Sequence, residues 1–156
     1  MLEERLKKII ESTKAERLNR ELLFDGGFIK VFKEDYKLPD GRIITKQVVS
    51  KNGGKPAAII VVRTVDDKFL LVFQNRVDNI VSCEFPSGYI EEGEDPVVGA
   101  LREVKEETGY TSNEARVLDT FISSIGTEST RLFIIFVDNA KKASDQELDK
   151  DEFINY

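Results

Sequence analysis

The sequence predicts an α/β fold. Apolar, β-branched runs punctuated by Gly, Pro, Asn and Asp recur along most of the chain. One helix is bracketed by start and stop signals near residues 96 to 108. The length of 156 residues suits a single domain with a proper core.

The elements follow in order. Residues 1 to about 18 are rich in helix formers, with Leu2, Leu6, Ile9 and Ile10 at helical spacing. Thr13 followed by Glu16 is a candidate capping box, so this stretch reads as one bent helix or two short ones, with an apolar stripe for docking or dimerisation. Strand character then takes over. Residues 21–24, 28–34 and 42–50 form an expected antiparallel meander, separated by Asp25-Gly26-Gly27 and Leu38-Pro39-Asp40-Gly41. Ala57 to Thr64 reads as a buried strand and Phe69 to Gln74 as a second, with Glu84-Phe85 in a further extended piece. Residues 115–123 and 131–137 are the last expected strands, before a polar, acidic loop from Asp138 to Asp151.

Composition excludes whole classes of chemistry. The chain has no His, so it holds no Ser-His-Asp triad, His-ligated zinc or His proton shuttle. Its single Cys83 excludes an intrachain disulfide and a Cys-cluster metal site, and fits a reducing compartment. The net charge of -6 argues against a nucleic-acid or anionic-membrane binder. No apolar run approaches a membrane span, and no signal-peptide core opens the chain, so the cytoplasm is the expected compartment. Polar catalysis would have to rest on carboxylates, Lys, Tyr or an oxygen-ligated metal.

Residues 88 to 110 are the informative segment. Asp95 is a good N-cap, Pro96 suits the first helical position, and Gly109 suits a left-handed stop. On that helix Val97, Leu101 and Val104 share one face, and Glu103, Glu106 and Glu107 fall within one turn on another. Three carboxylates so close repel, most of all near the negative C-terminal end. A solvated acidic face is one account. A bound Mg²⁺ is the other, since it takes carboxylates, waters and substrate phosphates as ligands. Gly88 and Gly93 let the preceding loop turn tightly towards the helix.

This segment resembles the Nudix box, G-x5-E-x7-R-E-U-x-E-E-x-G-U, with U a bulky apolar residue. Gly88, Glu94, Arg102, Glu103, Val104, Glu106, Glu107 and Gly109 match, and only the last position departs, as Tyr110. The resemblance implies an α/β/α sandwich with a mixed sheet, and hydrolysis of a nucleoside diphosphate linked to another moiety. It implies Glu103 and Glu107 as the main metal ligands, Glu106 as a further or supporting one, and the Ser87 carbonyl as an extra contact. Arg102 would hold the glutamates and Glu94 would brace the loop. The expected cofactor is Mg²⁺, with Mn²⁺ as a substitute. Glu107, Glu106 and Arg102 then count among the catalytic residues.

Upstream, Phe28-Ile-Lys-Val-Phe, Leu38-Pro39-Asp40-Gly41-Arg42, Leu71 to Arg76 and Glu84-Phe85-Pro86-Ser87-Gly88 look like the ADP-ribose pyrophosphatase-like group. With residues 1–20 set apart as the N-terminal helical segment read above, that likeness implies 21–156 as the Nudix domain and 21–50 as dimer-building strands of a homodimer. It makes Arg42, Arg76, Glu84 and Glu128 candidate substrate contacts. It also makes Glu152 the candidate general base, with Glu147 and Asp151 as rivals. Two departures stand out. Ile125-Gly126 occupies the place of the group's Pro-Gly, and the chain stops at Tyr156 where relatives usually continue with a strand and a helix. The expected substrate is a nucleoside diphosphate sugar such as ADP-ribose. A nucleoside triphosphate pyrophosphohydrolase and a non-catalytic nucleotide-sensing module are the alternatives.

Overall fold

The structure, a computed structural model, describes residues 2–148, 150 and 153–156. Its contacts divide the chain into two compact units: Met1–Gly54 with Ser124–Ser129, and Lys55–Ser123 with Thr130–Tyr156.

In the first unit, helix α1 spans Leu2–Thr13 and buries none of its residues. Strands β1 (Glu16–Asp25), β2 (Ile29–Lys37) and β3 (Ile43–Lys51) then form an antiparallel sheet in the order β1-β2-β3. The expectation of helix to about residue 18 is corrected here. Helix formers from Glu16 onwards lie in β1 because cross-strand charge favours pairing. Glu16 faces Lys37, Glu21 faces Lys33 and Asp25 faces Lys30. Lys30 and Asp25 close to 2.9 Å. The acid of Glu34 is 2% exposed in this sheet, receiving hydrogen bonds or ion pairs from Arg17 (3.3 Å), Arg20 (3.2 Å) and the Tyr36 hydroxyl. The Ser124–Ser129 segment joins β3 through the Val49 amide, which donates to the Thr127 carbonyl at 2.7 Å, and through Lys51 and Glu128 at 3.1 Å.

The second unit is built on a mixed sheet. Strand β4 spans Ala57–Thr64, β5 Phe69–Leu70, β6 Val72–Asn75, β7 Val81–Glu84, β8 Ser87–Tyr89, β9 Tyr110–Thr111, β10 Glu114–Phe121, β11 Leu132–Lys142 and β12 Ile154–Asn155. The order β10-β11-β4-β5 forms the main path, with β8 on β4 and β9 on β11. Among the described strands of this sheet, β11 and β4 alone run parallel, Ile135 beside Ile60 and Val137 beside Val62. A smaller antiparallel sheet runs β12-β6-β7. Helix α2 (Pro96–Thr108) packs on β4, β8, β9, β10 and β11. Its inner face places Ala100 and Val104 against Ile60, Val62, Ile90 and Ile135, all about 1% exposed or less. The mixed sheet is as expected, while α2 is its one helical layer among the described residues of this unit, besides a 3-10 turn at Val77–Asn79.

Two further readings are revised. Residues 138 to 142 continue β11 instead of starting a loop, because Ala140 is buried and pairs beside Thr64 while Lys141 and Lys142 pair with β9. Gly88, expected in the loop before the helix, lies instead in the strand Ser87–Tyr89 held on Ala57 to Ile59. No described helix is long and apolar enough to cross a membrane.

Candidate metal-assisted hydrolase site

Three sequence features place the acids. The Asp95 side chain accepts from the amides of Val97 (2.9 Å) and Val98 (3.3 Å), and Pro96 follows, so α2 starts where its capping signals put it. Gly109 stops it at φ 70°, a conformation that costs a side-chain-bearing residue steric energy. Between them the 3.6-residue repeat turns Val104 into the core and Arg102, Glu103, Glu106 and Glu107 towards β8 and the loop before the helix.

Arg102 organises the group. Its Nη1 donates to Glu103 at 2.8 Å and to Glu106 at 2.9 Å. Nε and Nη2 both reach Glu94 at 3.2 Å, and Nη2 also reaches the Tyr89 carbonyl at 2.9 Å. One partly buried guanidinium therefore serves three carboxylates and one backbone acceptor. The hydrogen bond from Arg102 holds Glu94 below the usual carboxylate range, in opposition to burial. Glu94, then Glu103 and Glu106, hold the Arg102 guanidinium above its ordinary pKa. Glu94 also accepts from the Glu91 amide at 2.9 Å, so it braces the loop as the sequence led us to expect.

Glu107 is 2% exposed, and its carboxylate accepts from the Ser87 amide at 3.2 Å. Gly88 is required beside it. A Cβ built there would overlap the Glu103 carboxylate. The structure thus brings Ser87, Glu94, Arg102, Glu103, Glu106 and Glu107 together in one unit.

The donor set suits a hard divalent cation, since it offers carboxylate oxygens with no nitrogen or sulfur ligand. Among the described residues, no three acids are gathered closely enough to form a metal cage by themselves. Hard divalent cations, Mg²⁺ among them, can keep waters and take substrate phosphates along with a few carboxylates.

The other candidates lie elsewhere. Arg76, just past β6, pairs with Glu84 of β7 at 2.7 Å, and Ser82 also donates to Glu84 at 2.8 Å. Arg42 sits in the first unit, with its guanidinium 2.6 Å from Asp40 in the turn before β3. Glu128 is in that unit too, paired with Lys51. Glu152 and its rival Asp151 lie outside the described residues, while Glu147 is described and donates its amide to the Glu106 carbonyl at 2.8 Å. Gln146 was not singled out in the sequence. Its side-chain amide donates to the Glu107 carbonyl, and a lone Gln in an acidic stretch carries no signal of a partner 39 residues away.

A profile of the NUDIX domain matches residues 54–156. An ADP-ribose pyrophosphatase of Bacillus subtilis is 30% identical over 93% of this chain and 78% of its own. A methanol dehydrogenase activator of Bacillus methanolicus is 33% identical over 88% and 74%. A crystal structure of an ADP compounds hydrolase superposes with a TM-score of 0.78, covering 91% of this chain and 76% of that one. At 24% identity, that likeness speaks for the fold.

Proposed function

The chain belongs to the NUDIX domain family of hydrolases, and from that premise we propose that it cleaves the diphosphate bond of a nucleoside diphosphate sugar, ADP-ribose or another ADP-sugar. Water would attack one phosphorus, the bridging P–O bond would break, and a nucleoside monophosphate and a sugar phosphate would leave. The observation that carries this reading is the glutamate set gathered by Arg102 beside Ser87 and Gly88. The name of the Bacillus subtilis relative supports the substrate class.

Glu103, Glu107 and Glu106, with the Ser87 carbonyl, would hold Mg²⁺ or Mn²⁺. When bound, the cation neutralises phosphate charge and acidifies a water. The chain's own residues do the rest. Arg102 fixes Glu103 and Glu106 and offsets their mutual repulsion. A carboxylate takes the water's proton, and we assign that base to Glu152. Arg76, Glu84, Arg42 and Glu128 are assigned to the substrate. Positioning and charge stabilisation supply most of the acceleration.

The protein works as a cytoplasmic homodimer in this proposal. Strand β1, exposed at every residue, supports pairing through the N-terminal strands, and the exposed free Cys83 supports a reducing compartment. The net charge of -6 speaks against nucleic acid as a partner.

The test is a panel of ADP-ribose, other nucleotide sugars, dinucleoside polyphosphates and nucleoside triphosphates, with Mg²⁺, with Mn²⁺ and after chelation. Metal-dependent turnover of an ADP-sugar is expected. Turnover confined to triphosphates would replace the substrate class, and binding without turnover would make the chain a sensing module.

A further inference from the structure

A helix end leaves four carbonyls without an intrahelical donor. At α2 each of the last four is met. The Gly109 amide donates to Lys105 O at 2.7 Å, the Glu147 amide to Glu106 O at 2.8 Å, the Gln146 side chain to Glu107 O and the Lys142 ammonium to Thr108 O at 2.9 Å. These are the turns that carry Glu103, Glu106 and Glu107.

Like Lys142, which also donates to the Tyr156 hydroxyl, Gln146 makes a second bond. The same side-chain nitrogen also donates to the Ile154 carbonyl, at 3.1 Å. Ile154 lies in β12, which pairs with β6 through Ile154 and Gln74. On the far side of β6, β7 carries Glu84, the partner of Arg76. A single primary amide has two N–H bonds, and here they join the carboxylate turn of α2 to the small sheet.

We propose that Gln146 is a positioning residue for Glu107. By holding the Glu107 backbone on one side and β12 on the other, it sets where the Glu107 carboxylate stands beside Ser87. This rests on the reading that Glu107 holds the divalent cation. Groups outside the ligand set that orient it commonly change metal affinity when removed. Gln146 is half-buried.

The experiment uses the full chain and Mn²⁺ alone as probe, its free concentration followed by electron paramagnetic resonance. Gln146→Ala removes both donors. Gln146→Glu keeps the shape but, when ionised, cannot donate. Lys142→Met is the control, because it removes a donor at the same helix end without touching Glu107. Both Gln146 variants are expected to raise the Mn²⁺ dissociation constant about 10-fold or more. Lys142→Met should leave it within about 2-fold while lowering the melting temperature. With a turned-over diphosphate, kcat should fall in the Gln146 variants with little change in KM.

Wild-type Mn²⁺ affinity in Gln146→Ala overturns the proposal. So does an equal loss in Lys142→Met, which would mean general fraying of α2. If the wild type binds Mn²⁺ but cleaves nothing in the panel, the hydrolytic reading falls while the Mn²⁺ comparison still decides the role of Gln146. Wild-type protein that binds no Mn²⁺ overturns the metal reading and this inference together.

Discussion

The carboxylate of Glu103 occupies the space into which a side chain at Gly88 would grow. The two residues come from different elements, β8 and α2, and their approach is what brings the β8 backbone to the acids. Gly88→Ala is therefore expected to push Glu103 off its place on Arg102 and cut turnover by about 100-fold or more. The fold should persist, since β8 pairing needs only backbone groups. Steady-state kinetics with circular dichroism as control checks this, and unchanged kcat would dismiss the close approach as incidental.

Glu107→Gln keeps the side-chain volume and an oxygen that can still accept from the Ser87 amide. It removes the negative charge. Nearly complete loss of metal-dependent turnover is expected, with a melting temperature close to wild type. Turnover at the wild-type level would remove Glu107 from the ligand set.

Arg102→Ala leaves Glu94, Glu103 and Glu106 without their shared cation. The side chain is 33% exposed, so solvent screening discounts the effect of a fully buried pair. A loss of about 2 kcal/mol in urea unfolding is expected. Arg102→Lys should recover only part of it, because an ammonium cannot reproduce the guanidinium fork. Saturating divalent cation should narrow the deficit, which a thermal melt with and without Mg²⁺ would show.

Glu94 sets a pH dependence. Its pKa in the folded chain lies below the ordinary 4.5. The stabilisation it contributes is therefore whole above that value and is lost as pH falls through the lower, folded value. The stability gap between wild type and Glu94→Gln is expected to be constant near neutrality and to close in acid. Urea titrations from about pH 7 to about pH 3 measure it. A gap independent of pH would show that Glu94 acts by shape alone.

In the first unit, the hydrogen bond to Glu34, then burial and the Glu34 charge, hold the Tyr36 phenol above its ordinary 10.0. Glu34→Gln should lower that titration towards the ordinary value and destabilise the three-stranded sheet, because Arg17 and Arg20 lose their acceptor charge. Phenolate absorbance, with Tyr36→Phe subtracted, reads the shift. An unmoved titration would place Tyr36 away from Glu34 in solution.

What could be read from the sequence follows physical locality. Helix α2 was legible at both ends because its cap, its first-turn Pro and its left-handed stop are local and chemically specific. Strand β4 was legible through its β-branched run, although only alternate residues, Ala58, Ile60 and Val62, are fully buried. Strand β1 was legible only over residues 21–24, and its start at Glu16 was not. It is exposed on both faces, so no alternation marks it, and its Glu, Arg and Leu favour a helix until β2 supplies the opposite charges. Residues 138 to 142 were missed for a different reason, since the partners of Ala140 and Lys142 are distant in sequence.

The site divides along the same line. Glu94, Arg102, Glu103, Glu106 and Glu107 have fixed spacing on one helix and its lead-in, and the structure gathers them. Arg76 and Glu84 were named separately, and their pairing across a hairpin emerges only in three dimensions. Gln146 had no pattern to announce it, for its two acceptors lie at Glu107 and Ile154.

The Ser124–Ser129 segment has a consequence for anyone dividing this chain. It is encoded between β10 and β11, yet it is counted with the N-terminal unit and anchored there by Val49 and Lys51. The polypeptide crosses from one unit to the other at residues 54/55, 123/124 and 129/130. A fragment beginning at Lys55 would keep this hexapeptide but strip away its docking strand. Gene fusion or modular exchange at a single junction would therefore transplant an incomplete part, and the two units are expected to be inherited as a pair.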